Sequence, residues 1–129
     1  MISAKLANNI WILLQSRDSK IFHRNCFQLQ YSQTNKLKQY LFENKNTQFG
    51  TKHKFGQIND YNGYKENVPI QQWNDISPWV ELIRKGSDNV LTSQKVILFE
   101  ETSGTSSFSK LIPYTKLLKK EMQKGVYFF

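Results

Sequence analysis

Cysteine is almost absent from this sequence. The single residue, Cys26, has no partner within the chain, so an internal disulfide is excluded and a reducing compartment is indicated. The two histidines, His23 and His53, lie far apart in sequence, and no Cys/His cluster with metal-ligand spacing accompanies them. We therefore expect no metal centre, and we expect both histidines to lie at the surface or in packing positions.

Long apolar runs are also missing. The run near the start, Ile10–Leu14, is far shorter than the roughly 20 apolar residues that cross a bilayer as a helix. It is also too short for the core of a signal peptide, and no small-residue cleavage site follows it. We therefore expect a soluble, cytoplasmic chain with no membrane partner.

Acidic residues are the minority among the charged ones. The sequence has 18 Lys and Arg against 10 Asp and Glu, and the formal net charge of +8 favours anionic partners such as nucleotide, nucleic acid or an acidic surface. The positive residues are scattered, however. The one local cluster, Lys116, Lys119 and Lys120, is explained equally well by a solvated helix face. Charge alone therefore does not choose between these partners.

Apolar side chains are present in sufficient number for a core. Hydrophobic residues make up 39% of the 129 positions and aromatic residues 14%, which is ordinary for one globular domain. No internal repeat or low-complexity tract interrupts the chain. We predict a mixed α/β domain that is helical over residues 1–90 and forms a strand–loop–strand–helix unit over residues 95–125.

Apolar residues recur at helical spacing in the first part of the chain. The first group, Leu6, Ile10, Leu13 and Leu14, predicts an early helix with one apolar face. A second stripe predicts another helix that ends near Asn44. Its members are Phe27, Tyr31, Thr34, Leu37 and Leu41.

Turn-forming residues dominate the middle of the chain. Gly50, Gly56 and Gly63 punctuate residues 46–67, and this pattern predicts irregular structure pinned to the core by aromatic residues. The segment Val68–Ile70 should be extended, because Pro69 disfavours a helical conformation of the residue before it.

A third helix is predicted over Ile76–Lys85. Asn74 or Asp75 can cap its start, and Gly86 supplies its stop. Pro78 would then fall in the first turn, where a missing backbone N–H costs nothing.

Two strand candidates follow. Residues Lys95–Glu100 are mostly β-branched or large and apolar, which is typical of a buried strand. A loop of small residues, Thr102–Ser109, separates this segment from a second short strand, Lys110–Pro113. A further helix begins near Thr115.

The loop between these strands has the composition of a phosphate site. Phosphate binding requires several backbone N–H groups turned towards one point, and small residues permit that turn. Hydroxyl groups add donors, and a lysine such as Lys110 adds a positive charge. The segment is not a Walker loop, because Gly104 is its one glycine and Leu111 follows the lysine. A plain surface turn rich in Ser and Thr remains an alternative.

A family resemblance extends this interpretation. Residues 99–105, FEETSGT, followed by residues 110–115, KLIPYT, resemble the first nucleotide-binding motif of the GH3 auxin-responsive promoter family. That family resembles the wider acyl-adenylate-forming superfamily. Further similar segments occur in the same order upstream, so the likeness covers almost the whole chain from about the first helix onward. They are Thr47–Gly50 with His53 and Phe55, Val68–Ile70, Pro78–Val80 through Gly86, and Asn89–Thr92.

The resemblance implies an enzymatic role. Members of this family are ATP-dependent acyl-acid amido synthetases, which adenylate a carboxylic acid and then transfer the acyl group to an amine or amino acid. ATP with Mg²⁺, a small carboxylic acid and an amine are therefore the implied ligands. The resemblance assigns phosphate binding to the loop, and no catalytic residue is assigned. The implied phosphate-binding residues are Thr102, Ser103, Gly104, Thr105, Ser106, Ser107 and Lys110.

Two details of the loop bear on nucleotide affinity. Phe108 stands where the family often carries a small residue, and its ring can either narrow the phosphate cavity or fold onto the core. Lys110 is either the phosphate counter-charge or an exposed lysine that opens the second strand.

Few residues follow Lys110, so the chain is interpreted as a single incomplete domain, residues 1–129, the N-terminal part of an adenylating enzyme. On this interpretation the isolated chain is expected to be inactive and to need the missing C-terminal part as its partner. Two other functions stay open. One is a small basic nucleic-acid-binding module, in which aromatic residues between lysines stack on bases. The other is a non-catalytic remnant.

Overall fold

The computed structural model describes the backbone of residues 3–102 and 110–126, with side chains except at positions 14, 15, 18 and 124–126. Within these ranges, helices come first and a small sheet follows, as the sequence predicts. The helices are α1 Ala4–Phe27, α2 Leu29–Asn44, α3 Gln48–Lys52, α4 Tyr61–Asn67, α5 Trp73–Arg84 and α6 Lys116–Val126, with a short 3-10 helix at Phe55–Gln57. The strands are β1 Val96–Glu101 and β2 Leu111–Thr115. No helix in the described ranges is long and apolar enough to span a bilayer.

The two long helices at the start follow the predicted periodicity. Ser3 caps α1, because its hydroxyl accepts a hydrogen bond from the Leu6 N–H at 3.3 Å. Gln28 adopts a non-helical conformation and separates α1 from α2. The predicted end of the second helix at Asn44 is confirmed. Its predicted stripe is only partly buried: Leu41 lies in the core, whereas Phe27 belongs to α1 and is exposed.

The prediction of irregular structure over residues 46–67 was wrong. Thr47 and Asp60 are helix N-caps, and their side-chain oxygens accept hydrogen bonds from the N–H groups of Gly50 and Gly63, each at 2.9 Å. Both glycines therefore occupy the first turn of a short helix, α3 or α4, rather than a loop. These helices are too short to produce an apolar period, which is why the spacing of apolar residues did not reveal them.

The third predicted helix exists but begins earlier than expected. Gln72, not Asn74 or Asp75, is its N-cap, and Asp75 instead accepts a hydrogen bond from the Gln72 N–H at 2.9 Å in a capping box. Pro78 consequently lies inside α5 and not in its first turn. The predicted stop is confirmed: Gly86 has φ +94°, and the Ser87 N–H donates to the Leu82 carbonyl at 2.9 Å.

The sheet is a single antiparallel pair of strands. Glu101 pairs with Leu111 and Phe99 with Pro113, and the register shifts between Val96 and Leu98. The predicted burial of β1 was wrong, because Ile97 and Leu98 are exposed on this two-stranded sheet. β2 also runs further than predicted, to Thr115.

The core lies where the short helices meet α2, α5 and the turn before β1. The buried apolar side chains come from four separate segments: Leu41, Ile58, Val80 and Val90. Phe49 extends this core with ring contacts to Phe55 and Trp79, at centroid distances of 5.9 and 5.7 Å. The core therefore fixes the helical part against the segment that leads into the sheet.

Candidate functional site

The two ends of the predicted phosphate loop are brought together by the sheet. Beyond the Glu101–Leu111 pair, the Thr102 N–H donates to the Lys110 carbonyl at 3.0 Å. The Lys110 N–H in turn approaches the Thr102 hydroxyl oxygen at 3.4 Å. Thr102 and Lys110 thus form the closed base of a hairpin, and the loop leaves and returns at neighbouring positions.

The rest of the predicted cradle lies outside the described residues. This applies to Ser103, Gly104, Thr105, Ser106 and Ser107, and also to Phe108. Of the predicted site residues, the structure therefore places the first and the last.

The closed base constrains what Thr102 and Lys110 can offer a ligand. The backbone N–H of Thr102 is used within the hairpin, so a ligand would meet its hydroxyl hydrogen rather than its amide. The side chain of Lys110 is exposed at the same end of the sheet. A hydroxyl donor and an ammonium group thus flank the loop, which is a donor set that suits phosphate oxygens.

Helix α6 starts directly after the hairpin. The Thr115 hydroxyl accepts a hydrogen bond from the Leu118 N–H at 3.1 Å and so caps the first turn of α6. The Tyr114 hydroxyl and the Met122 sulfur, 3.3 Å apart, add a second link between β2 and α6. The position of this helix is therefore tied to the strand that carries Lys110.

A polar network connects the middle of α6 to α2. Lys36 forms an ion pair with Glu121, and the Tyr40 hydroxyl donates to the second oxygen of the same carboxylate at 3.2 Å. Partial burial lowers the pKa of Lys36, but the hydrogen bond to Glu121 and the nearby negative charge outweigh it, so this pKa lies above its ordinary 10.5. Burial and the Glu121 charge likewise raise the pKa of Tyr40 above 10.0.

A second group of hydrogen bonds holds the segment that leads into β1. The N–H groups of Gln48 and Phe49 donate to the carbonyls of Asn89 and Val90 at 2.9 and 3.0 Å. The Asn44 side chain accepts from the Ser93 N–H at 3.0 Å. The turn between α2 and α3 is thereby joined to the turn just before the hairpin.

His53 is a packing residue, as expected. It is buried, its ring lies 4.3 Å from that of Phe49, and its Nδ1 is 3.0 Å from the Asn67 carbonyl oxygen. Because a carbonyl can only accept, Nδ1 carries the proton in this contact. Within residues 3–102 and 110–126, no group of three His, Cys, Asp or Glu side chains is placed to hold a metal ion.

Sequence reasoning missed the residues that position the hairpin from a distance. Lys36, Tyr40 and Glu121 are ordinary surface residue types, and their partners lie more than 80 positions apart in the chain. The contact between Asn44 and Ser93 is similarly remote. Asn89 offered a local signal for the turn before β1. It has φ 60°, and Asn tolerates this left-handed region better than most residues.

Comparison with known families gives one match. The model described as the GH3 family N-terminal domain matches residues 18–128, nearly the whole chain. The matched range includes the hairpin, its predicted loop and the hydrogen bonds that join the turn after α2 to the turn before β1. A comparison with curated proteins returns no match.

Proposed function

The chain belongs to the GH3 family, and from this premise we propose that it carries the phosphate-binding hairpin of an ATP-dependent acyl-acid amido synthetase. The observation that carries this proposal is the closed hairpin base, where Thr102 pairs with Lys110 at the two ends of a segment rich in Ser and Thr. The implied substrates are ATP, a small carboxylic acid and an amine or amino acid.

The proposed reaction has two steps. A carboxylate oxygen of the acid attacks the α-phosphorus of ATP, and pyrophosphate leaves, which yields an acyl-adenylate. The amine nitrogen then attacks the acyl carbon, and AMP leaves with the bonding electron pair while the nitrogen loses a proton. The loop serves the first step, because donors held around the β- and γ-phosphates offset the charge that grows on the departing pyrophosphate.

The roles of the chain's own residues follow from where they lie. The ammonium group of Lys110 attracts phosphate oxygens, and the hydroxyl of Thr102 can donate to one of them. Ser103, Gly104, Thr105, Ser106 and Ser107 are proposed to complete the cradle. The hairpin base keeps the two flanking donors adjacent before ligand arrives, so less ordering entropy is lost on binding.

Magnesium would share the charge of the bound nucleotide. Mg²⁺ in nucleotide sites is held by phosphate oxygens and one or two carboxylates. Glu101, exposed and next to Thr102, has the oxygen donor that this ion prefers, so the donor chemistry of the hairpin fits.

The experiment uses isothermal titration calorimetry to measure the affinity of the chain for pyrophosphate and for MgATP. We expect Lys110→Ala to weaken both affinities by about 10-fold or more, the cost of one charge-assisted hydrogen bond. Lys95→Ala is the matched control, since Lys95 is an exposed lysine just before the opposite end of β1. Equal affinities of the two variants would show that binding reflects net charge alone, and would sink the proposal.

Catalysis is tested separately from binding. That the 129-residue chain does not catalyse the reaction on its own stays a prediction. An assay of ATP–pyrophosphate exchange in the presence of a carboxylic acid tests it. Binding without exchange is the expected result. Exchange by the purified chain would contradict it while leaving the phosphate-binding role intact.

A further inference from the structure

Almost every described side chain of α1 is exposed, and one line of these side chains along the helix has an ordered composition. Its positions are spaced by four and three residues in alternation, which places them on one side of an α-helix. The stripe consists of Leu6, Ile10, Leu13, Arg17, Lys20 and Arg24. We call this set the α1 stripe.

The α1 stripe changes character halfway. Its first half is aliphatic, and Leu6, Ile10 and Leu13 keep 52%, 45% and 73% of their surface exposed. Its second half holds three exposed cations, and no stripe position is acidic. Each half spans about 10 Å of helix at 1.5 Å per residue.

The aliphatic half lies before the part of the chain that matches the family domain. The match to the family domain begins at residue 18, so Leu6, Ile10 and Leu13 precede it while Lys20 and Arg24 lie within it. Aliphatic side chains exposed this far gain free energy when they leave water, and an adjacent row of cations attracts a negative surface. A partner for this stripe must therefore offer apolar depth beside fixed negative charge.

We propose that the α1 stripe docks the protein on the surface of an anionic phospholipid bilayer. The aliphatic half enters the interface at an angle, and the basic half stays among the lipid phosphates. Helices that lie in a membrane interface bury their apolar residues about 5–10 Å into the headgroup and acyl boundary, which is the depth required of the aliphatic half. This docking departs from the sequence-based expectation of no membrane partner, which rested on the lack of a spanning segment and of a signal peptide.

A nucleic acid fits the stripe less well. Its phosphates would attract Arg17, Lys20 and Arg24, but its backbone offers no apolar volume to Leu6, Ile10 and Leu13. The two partners therefore differ in whether the aliphatic half contributes. Bilayer docking is independent of the nucleotide site, since no residue of the hairpin belongs to the stripe.

The test is cosedimentation of the full chain with vesicles of phosphatidylcholine, alone or mixed with phosphatidylserine. We expect binding to the mixed vesicles, weaker binding as salt rises, and little binding to phosphatidylcholine alone. Replacing Arg17, Lys20 and Arg24 together by Gln should lower the partition coefficient on the order of a hundredfold, at about fivefold for each cation. The matched control replaces three exposed lysines elsewhere, Lys38, Lys85 and Lys95, and has the same net charge.

A second pair of variants tests the aliphatic half. Leu13→Glu should weaken vesicle binding by about 10-fold or more, whereas Ile12→Glu should weaken it much less, because Ile12 is exposed but lies about 100° away around the helix. Circular dichroism of each variant checks that the helices persist. Equal effects of Leu13→Glu and Ile12→Glu, or no binding to the mixed vesicles, would overturn the proposal. Binding to a single-stranded RNA oligonucleotide that depends on the cations but not on Leu13, with none to vesicles, would replace the bilayer with nucleic acid.

Discussion

Replacement of Thr47 by Val should destabilise the chain strongly for a change that hardly alters the size of the side chain. Thr47 is fully buried, with 0% exposure, and its hydroxyl makes two hydrogen bonds. It accepts from the Gly50 N–H at 2.9 Å and donates to the Asn44 carbonyl at 2.8 Å. Valine keeps the shape of the side chain and removes both bonds.

The size of the stability loss depends on which backbone groups keep a hydrogen-bond partner in the valine variant. The Asn44 carbonyl still accepts from the Thr47 backbone N–H at 3.0 Å, so losing the hydroxyl costs about 1 kcal/mol there. The Gly50 N–H has no such second partner and becomes a buried unsatisfied donor, at a cost of about 1–3 kcal/mol. We therefore expect the free energy of unfolding to fall by roughly 2–4 kcal/mol.

Urea denaturation followed by tryptophan fluorescence measures this loss, because Trp79 packs against Phe49 beside the site. With a slope of about 1–3 kcal/mol per molar urea, the midpoint should move by about 1 M or more. Thr51→Val, at an exposed position of α3, should change stability by less than about 0.5 kcal/mol. Thr47→Ser keeps both bonds and should fold even where the valine variant does not. If Thr47→Val matched Thr51→Val within error, the hydrogen-bond reasoning would be refuted.

Two further predictions concern packing and pH. Gly50→Ala should cost about 3 kcal/mol or more in the same urea assay, since its new Cβ would lie 2.0 Å from the Asn44 backbone oxygen. Gly56→Ala is the control and should be nearly neutral, because its new Cβ would make an ordinary contact with the Lys45 Cβ at 4.0 Å. Stability should also fall as pH rises above about 10, because the raised pKa values of Lys36 and Tyr40 mean that the folded state holds both protons more tightly than the unfolded chain. Glu121→Gln removes a negative charge that raises the pKa values of Lys36 and Tyr40, so its stability should fall less steeply with pH. Urea denaturation between neutral pH and about pH 11 measures this dependence. The same dependence in the variant and the original chain would contradict the role given to Glu121.

The sequence predicts well where local chemistry decides the structure. The β-branched run before Glu101 became β1, and Gly86 stopped α5 because a left-handed residue was needed there. The neighbouring placement of Thr102 and Lys110 also follows from two strands joined by a short loop. These features depend on residues close together in the chain.

Prediction failed where remote or paired contacts decide. The start of α5 depends on Gln72 and Asp75 acting together, and Gln alone is a weak N-cap signal. The helix at Gln48–Lys52 is held by carbonyls from the turn at Asn89, about 40 residues further along the chain, so apolar spacing could not reveal it. The same limit applies to Glu121, whose partners on α2 no local pattern identifies.

The small sheet can be extended on one side only. Thr102 is hydrogen-bonded to Lys110, and in an antiparallel pair such bonded positions alternate, so Pro113 turns its nitrogen towards the outer side of β2. Proline has no hydrogen there to offer, which closes that border to an additional strand. The outer side of β1 carries no proline, and residues Val96 to Phe99 together with the preceding turn line a groove of about 370 Å³. Any backbone that joins this sheet must therefore approach from the β1 side, next to the residues that lead into the loop.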